Sequence, residues 1–180
     1  MKTHRLLLMA ICLSVYQLAC SQESPLWLRY PAISPDGQTF VFSSKGDLYT
    51  VPSGGGSAIP LTLHEAHDAM PVWSPDGRSL AFASDRYGNY DVFVMPAGGG
   101  AATRLSYHSG NDMPSDFSAD GKNVIFTSSR LDAASNQQFP SGALPELYSV
   151  SVQGGRERQF GGPDDDGQFN IDLFDSGHRR

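Results

Sequence analysis

Histidine is the side chain in this sequence best suited to acid–base or metal chemistry near neutral pH, because its ordinary pKa lies close to that range. His64 and His67 are three positions apart, and His108 follows His64 by 44 positions. A zinc site needs three or four converging ligands, and the 64–67 pair lacks the helical setting of the paired-histidine zinc motif. We therefore predict neither a metal site nor a cofactor, and we expect these histidines to pack against or cap their loops.

Serine could act as a nucleophile, and three serines recur in one local context. Ser34, Ser74 and Ser118 each begin a tetrapeptide that ends in Asp-Gly. A serine nucleophile needs a base and an orienting group, and the sequence lacks the Gly-x-Ser-x-Gly turn that presents one in α/β hydrolases. The glycine runs at 54–56 and 98–100 also lack the trailing Lys and Ser or Thr of a phosphate-binding loop. We predict no catalytic residue in this chain, and we assign these serines and glycines to turns.

The charge of the chain argues against a nucleic-acid partner. There are 13 Lys and Arg against 19 Asp and Glu, a formal net charge of −6, whereas phosphate binding needs clustered cations. Three of the acids form a run at 164–166, but a calcium loop needs spaced ligands rather than a run. We predict that residues 161–180 form an acidic tail that is truncated or disordered.

The elements that must position these residues are tandem repeats. The pattern Ser-Pro-Asp-Gly occurs at 34–37 and 74–77, and Ser-Ala-Asp-Gly follows at 118–121, so the steps are 40 and 44 residues. Proline presets the second position of a turn and glycine takes a positive φ, so we expect tight turns, with the third loosened by Ala119. Each turn is followed by an apolar run that carries a phenylalanine at one register: Phe42, Phe82 and Phe126.

The repeat predicts an all-β fold. Each unit continues with a second run led by an acid, a glycine turn and a shorter polar run, and the runs are rich in β-branched and aromatic residues. We interpret each unit as a four-stranded antiparallel blade and the whole as an incomplete β-propeller with WD-like repeats. The predicted blades are 27–62, 69–106 and 113–160. A single twisted sheet of a dozen strands is the alternative.

An antiparallel meander places its connections alternately at its two ends, so the loops that do not contain the Asp-Gly and Gly-Gly turns share one face. The connection at 131–145 is the longest of these loops, and long loops in compact domains are usually functional or disordered. We predict that this face binds a peptide or protein. The candidate binding residues on it are His64, His67, Arg86, Tyr87, His108 and Phe139.

The N-terminus has the features of a secretory signal. Cations precede an apolar stretch that ends in a small residue, so we predict a signal peptide at 1–19, a linker at 20–26 and an exported protein of the periplasm or cell envelope. Cys20 resembles the lipid-attachment cysteine of bacterial lipoproteins, although Gln17 stands where that motif usually has an aliphatic residue. Ordinary cleavage near Ala19 is the alternative, and a lipid on Cys20 is the only membrane contact that we expect.

Two longer stretches carry a more specific resemblance. Residues 85–96 (Asp-Arg-Tyr-Gly-Asn-Tyr-Asp-Val-Phe-Val-Met-Pro) and 139–148 (Phe-Pro-Ser-Gly-Ala-Leu-Pro-Glu-Leu-Tyr) look like the N-terminal propeller of tricorn-type serine peptidases. In that family, propellers precede a PDZ-like module and a peptidase domain and are thought to admit or filter peptides. The resemblance implies a longer hydrolase parent, whose remaining domains are partners of this segment and hold the catalytic serine outside it.

This resemblance favours a non-catalytic propeller segment of an exported tricorn-like peptidase that acts in peptide access or domain assembly. The turn pattern alone is shared by many TolB-like propellers, so a TolB-like module that binds envelope proteins without a peptidase partner is the alternative. The propeller of a prolyl-oligopeptidase-like enzyme is a third interpretation.

Overall fold

The computed structural model describes residues 27–130 and 145–160, and within them it contains twelve strands and no helix. Cys20, Phe139, most of the 131–145 loop and the 161–180 tail lie outside the described residues. The strands are β1 (Arg29–Ile33), β2 (Thr39–Ser44), β3 (Asp47–Pro52), β4 (Ile59–Pro60), β5 (Asp68–Trp73), β6 (Ser79–Ser84), β7 (Asp91–Pro96), β8 (Thr103–Arg104), β9 (Asp112–Phe117), β10 (Asn123–Ser128), β11 (Glu146–Ser151) and β12 (Arg158–Gln159). No helix in these ranges is long and apolar enough to cross a membrane.

The strands form three separate four-stranded antiparallel sheets in chain order. We call them blade 1 (β1 to β4), blade 2 (β5 to β8) and blade 3 (β9 to β12). The first strands of successive blades contact one another, β1 with β5 and β5 with β9, so the sheets stand side by side as sectors around a common inner edge. The prediction of an all-β, incomplete propeller with four-stranded blades is therefore confirmed, and the single twisted sheet is wrong.

The Asp-Gly turns have the same hydrogen bonds in each blade. In the first, the Ser34 hydroxyl donates to Asp36 Oδ1 at 2.6 Å, and the same oxygen accepts the Gln38 N–H at 3.0 Å. Gly37 has φ 71°, a conformation that favours glycine. The third turn repeats this pattern, with Ser118 Oγ 2.7 Å from Asp120 Oδ1. Ala119 does not disturb these bonds, because they depend on the serine and the aspartate rather than on a proline ring.

The hydrophobic core lies between the blades. Each blade carries an aromatic pair on its second and third strands, with ring centroids 5.9 Å apart for Phe42 and Tyr49 and 5.7 Å apart for both Phe82–Phe93 and Phe126–Tyr148. The blade 2 pair packs with Val41 and Leu48 of blade 1, and the blade 3 pair packs with Ala81 and Val92 of blade 2. Burying each such aromatic ring contributes roughly 1.5–3 kcal/mol, so the contacts between blades stabilise the fold.

The turn carboxylates make the folded state sensitive to acid. Hydrogen bonds from the serine hydroxyl and a backbone N–H lower the pKa of Asp36, Asp76 and Asp120 from the ordinary 3.8. A carboxylate whose pKa is lower in the folded state stabilises the fold above its unfolded pKa and loses that contribution as the pH falls.

The triple variant Asp36→Asn, Asp76→Asn, Asp120→Asn keeps the acceptor oxygens but cannot titrate. Its melting temperature should therefore fall less than that of the wild type as the pH drops below about 4.

Circular dichroism melts across the acid range measure this difference, and Glu65→Gln, outside the turns, is the control. Parallel pH profiles for the wild type and the triple variant would contradict the proposed role of the turns.

Candidate functional site

The loops at one end of the blades form a surface that we call the loop rim, made of residues 45–46, 61–67, 85–90 and 105–111. The Asp-Gly turns and the glycine turns lie at the other end, which we call the turn rim. The structure brings five of the six predicted binding residues to the loop rim: His64, His67, Arg86, Tyr87 and His108. The sixth, Phe139, falls outside the described residues, and the binding role of all six stays a prediction.

Two buried ion pairs support the loop rim from below. Asp68 begins β5 and lies 2.9 Å from Arg86 Nη2, and Asp112 begins β9 and lies 2.8 Å from Arg130 Nη2. Both aspartates are fully buried. The members of the second pair follow those of the first by 44 residues each, which is the step of the repeat. The ion pair therefore recurs at equivalent positions of blades 2 and 3.

Each arginine of these pairs also covers the aromatic pair of its own blade. The Arg86 guanidinium carbon is 5.1 Å from the Phe93 ring centroid and 5.6 Å from that of Phe82. Arg130 stands in the same way over Tyr148 and Phe126, at 4.6 and 5.4 Å. These distances fit cation–π contacts. The arginine thus seals the apolar interior of the blade and neutralises the buried carboxylate beside it.

Blade 1 lacks this pair. Leu28 and Gly46 occupy the positions 40 residues before Asp68 and Arg86, so acid and base are absent together. Because a lone buried charge is costly, the joint absence is the arrangement that physical chemistry favours. Asp68 and two aromatic rings engage the guanidinium of Arg86, so Arg86 supports the loop rim, and its predicted role in binding stays a prediction. Asp68, Asp112 and Arg130 were not among the predicted residues, although the 44-residue spacing between the two pairs was a usable signal.

A third buried carboxylate anchors an exposed aromatic stack. Asp91 begins β7 and is fully buried, with Arg104 Nη2 2.7 Å from its Oδ2. Burial raises the pKa of Asp91 more than Arg104 lowers it. The Arg104 guanidinium carbon lies 4.4 Å from the Tyr87 ring centroid and 4.6 Å from that of Tyr107. The two tyrosine side chains are 64% and 66% exposed, so the loop rim presents large aromatic surfaces on a fixed support.

Two of the three histidines on the loop rim cap their own loops. His64 Nδ1 accepts the Ala66 N–H and His108 Nδ1 accepts the Gly110 N–H, both at 2.9 Å. The His67 N–H donates to Asp85 Oδ1 at 2.7 Å. Equivalent histidines in neighbouring blades thus cap equivalent loops. Residues 27–130 and 145–160 contain no group of three or more His, Cys, Asp or Glu side chains arranged to hold a metal ion.

A cleft opens on the loop rim between blades 1 and 2. It is open to solvent, has a volume of about 430 Å³, and is lined by Trp27, Arg29, Ser43, Ser44, Lys45, Gly46 and His67. The Arg29 guanidinium carbon lies 5.2 Å from the Trp27 ring centroid. Cations, an indole ring and hydroxyl groups together suit a polar peptide segment with an aromatic or anionic part.

Removing one partner of a buried ion pair should destabilise the protein strongly. Asp68→Ala leaves Arg86 without its acid, and we expect a loss of about 3–5 kcal/mol in the free energy of unfolding. Adding Arg86→Met should recover most of that loss, because no unpaired charge then remains. Urea denaturation measures both values.

Glu65→Ala, an exposed acid on the same rim, is the matched control and should change stability by less than about 0.5 kcal/mol. If the double variant is as unstable as Asp68→Ala, the loss comes from packing rather than from the stranded charge.

Comparison with known proteins places this geometry in a family. The family model described as the Tricorn protease N-terminal beta propeller domain matches residues 25–172, which is most of the chain. A protein of Bacillus subtilis (strain 168) named Uncharacterized peptidase YuxL is 36% identical over 69 residues, which cover 33% of this chain and 10% of that protein. The chain therefore spans about a tenth of the length of this relative.

Solved structures show the same fold. TolB from Acinetobacter baumannii has a TM-score of 0.53 at 21% identity, over 73% of this chain and 32% of that one. The tricorn protease has a TM-score of 0.52 at 14% identity, over 80% of this chain and 16% of that one. At these identities the likeness shows the fold alone. The family match is what identifies the blades, and by it the chain belongs to the tricorn protease N-terminal beta propeller domain family.

Proposed function

We propose that this chain is the non-catalytic propeller segment of an exported, tricorn-like serine peptidase, and that its loop rim contacts peptides on their way to the peptidase or contacts the domains that follow. The observation that carries this proposal is the family match over residues 25–172. The name of that family links such propellers to a protease. The catalytic groups belong to the rest of the parent protein.

The loop rim has the chemistry that peptide contact requires. Tyr87 and Tyr107 supply large amphipathic surfaces, and aromatic residues of this kind dominate the energetics of many interfaces. Arg104 stands between them and is held by the buried Asp91. The surface is therefore ordered before binding, which reduces the entropy lost when a ligand binds.

Export and anchoring form a separate part of the proposal. A charged start and a short apolar stretch at 1–19 support a secretory leader, and Cys20 supports a lipid anchor. Mass spectrometry of the mature N-terminus tests both features. A diacylglycerol mass on Cys20 supports the anchor, a free N-terminus near Cys20 supports cleavage alone, and an intact Met1 in a cell-envelope fraction contradicts the leader.

A TolB-like module that binds envelope proteins, with no peptidase partner, is the second candidate. The structural likeness favours neither candidate, because TM-scores of 0.53 to TolB and 0.52 to the tricorn protease are nearly equal. The two candidates differ in the partner of the loop rim: a short flexible peptide in the first, a folded protein in the second.

Peptide binding should depend on the exposed tyrosines. We expect the double variant Tyr87→Ala, Tyr107→Ala to bind a fluorescein-labelled library of unstructured decapeptides at least about tenfold more weakly than the wild type, because it removes two aromatic anchors. Fluorescence anisotropy measures the affinity, and circular dichroism checks the fold. A variant that lacks residues 136–142 tests the third-blade loop in the same assay.

Arg78→Ala, an exposed change next to an Asp-Gly turn on the turn rim, is the control and should leave binding unchanged. Equal loss in this control, or no loss in the tyrosine variant, would remove the loop rim as the peptide surface.

A further inference from the structure

The arginine of blade 3 binds two carboxylates. Arg130 Nη2 lies 2.8 Å from Asp112 Oδ2, and Arg130 Nη1 donates a hydrogen bond to Glu157 Oε2. Glu157 Oε1 also accepts the backbone N–H of Tyr107 at 3.3 Å. The Glu157 carboxylate therefore joins a guanidinium of blade 3 to the loop that leads out of blade 2, and its side chain is only 15% exposed.

The contact between blades 1 and 2 contains the same two donors. Arg86 corresponds to Arg130 in the recurring ion pairs. Leu63 corresponds to Tyr107, because each directly follows a buried hydroxyl residue that accepts, at 2.9 Å, the N–H of the second residue of its blade's third strand. These acceptors and donors are Thr62 with Leu48 and Ser106 with Val92. A guanidinium and a backbone N–H thus occupy equivalent positions in the two contacts.

The two contacts differ in the acid. The strand register equates Ala102 with Glu157, because each lies two residues before the partner of its blade's third-strand aromatic residue. Ala102 packs against the apolar cluster between blades 1 and 2, so a side chain at this position faces that contact. Within the described ranges, Arg86 has Asp68 as its only acid, and its Nε and Nη1 groups have no hydrogen-bond acceptor. The Leu63 N–H also has none in this part of the chain.

We propose that Arg86 Nη1 and the Leu63 N–H form a carboxylate site, which binds the acidic side chain of a glutamate or aspartate in a peptide. Glu157 shows which group these two donors bind in this protein, and a side-chain carboxylate held by a guanidinium makes strong, charge-assisted hydrogen bonds. The site lies on the loop rim, so the inference rests on the proposed peptide role of that rim. It adds the class of ligand: acidic peptides.

The surroundings of the carboxylate site suit this ligand. Arg130 binds two carboxylates at once, so the ion pair with Asp68 leaves Arg86 able to bind a second acid. The same ion pair holds the guanidinium in place before a peptide arrives, which reduces the entropy lost on binding. Two further acids stand next to the donors, and both have donors of their own: Asp47 accepts hydrogen bonds from residues 62 and 64, and Asp85 accepts one from residue 67.

The first test compares two decapeptides that carry a neutral dye, have amidated C-termini and differ only in one central residue, glutamate or glutamine. By fluorescence anisotropy, the unmutated chain should bind the glutamate peptide at least about tenfold more tightly. Ala102→Glu supplies the carboxylate from within the chain and should abolish this preference. Ala101→Glu adds the same charge at the exposed neighbouring position and is the matched control, which should keep the preference. Circular dichroism checks the fold of both variants.

The second test needs no peptide affinity. In nuclear magnetic resonance spectra of the isotope-labelled chain, N-acetyl-glutamate N-methylamide should shift the Leu63 amide signal, and the glutamine analogue should not. Glu157→Ala gives blade 3 the arrangement of blade 2, so the same compound should then also shift the Tyr107 amide signal.

The outcomes separate the carboxylate site from the peptide role. Equal affinity for the two peptides overturns the site and leaves the peptide role standing. A Leu63 shift without binding of either peptide supports the site and contradicts the peptide role. A preference that survives Ala102→Glu places the acid elsewhere on the rim and overturns this assignment. Tighter binding of peptides with free C-termini, whatever their central residue, overturns it in favour of a terminal carboxylate.

Discussion

A single four-stranded sheet cannot bury both of its faces, and this constraint governs the whole molecule. Each blade has an aromatic face and an aliphatic face, and both core clusters of the described residues lie between blades rather than within one. A blade is therefore stable only as a member of a row. The same constraint explains why Phe117 of blade 3 is 4% exposed while Ile33, its counterpart in blade 1, is 51% exposed.

The position of polar groups follows from this packing. At the loop rim the strands end, and the apolar interior would meet water if nothing covered it. Arginines close it by lying over the aromatic pairs, and buried aspartates balance their charge. The exposed tyrosine stack rests on a third pair of the same kind. A surface suited to binding thus arises from groups whose first role is to seal the blades, and its rigidity comes from the interior.

The sequence was sufficient to predict the architecture, because the turn pattern and the spacing of the strands depend on the conformational preferences of nearby residues. The 40- and 44-residue steps predicted three blades, and the alternation of connections predicted which loops would share a rim. The side-chain partners were harder to predict. Asp68 and Arg86 are 18 residues apart and meet only because β5 and β6 pair, so Arg86 looked like a free cation on a loop. His64 and His108 were predicted to pack or cap, and each does accept a backbone N–H two residues on.

The order of the sheets also bears on how the protein acquires its structure. Among the twelve described strands, every hydrogen-bonded pair joins strands that are consecutive along the chain. Such a topology brings neighbouring segments together first, which favours rapid folding, and each blade becomes stable when the next blade packs on it. A chain that emerges slowly from a ribosome is therefore expected to gain stability one contact between blades at a time, from the N-terminal blade onward.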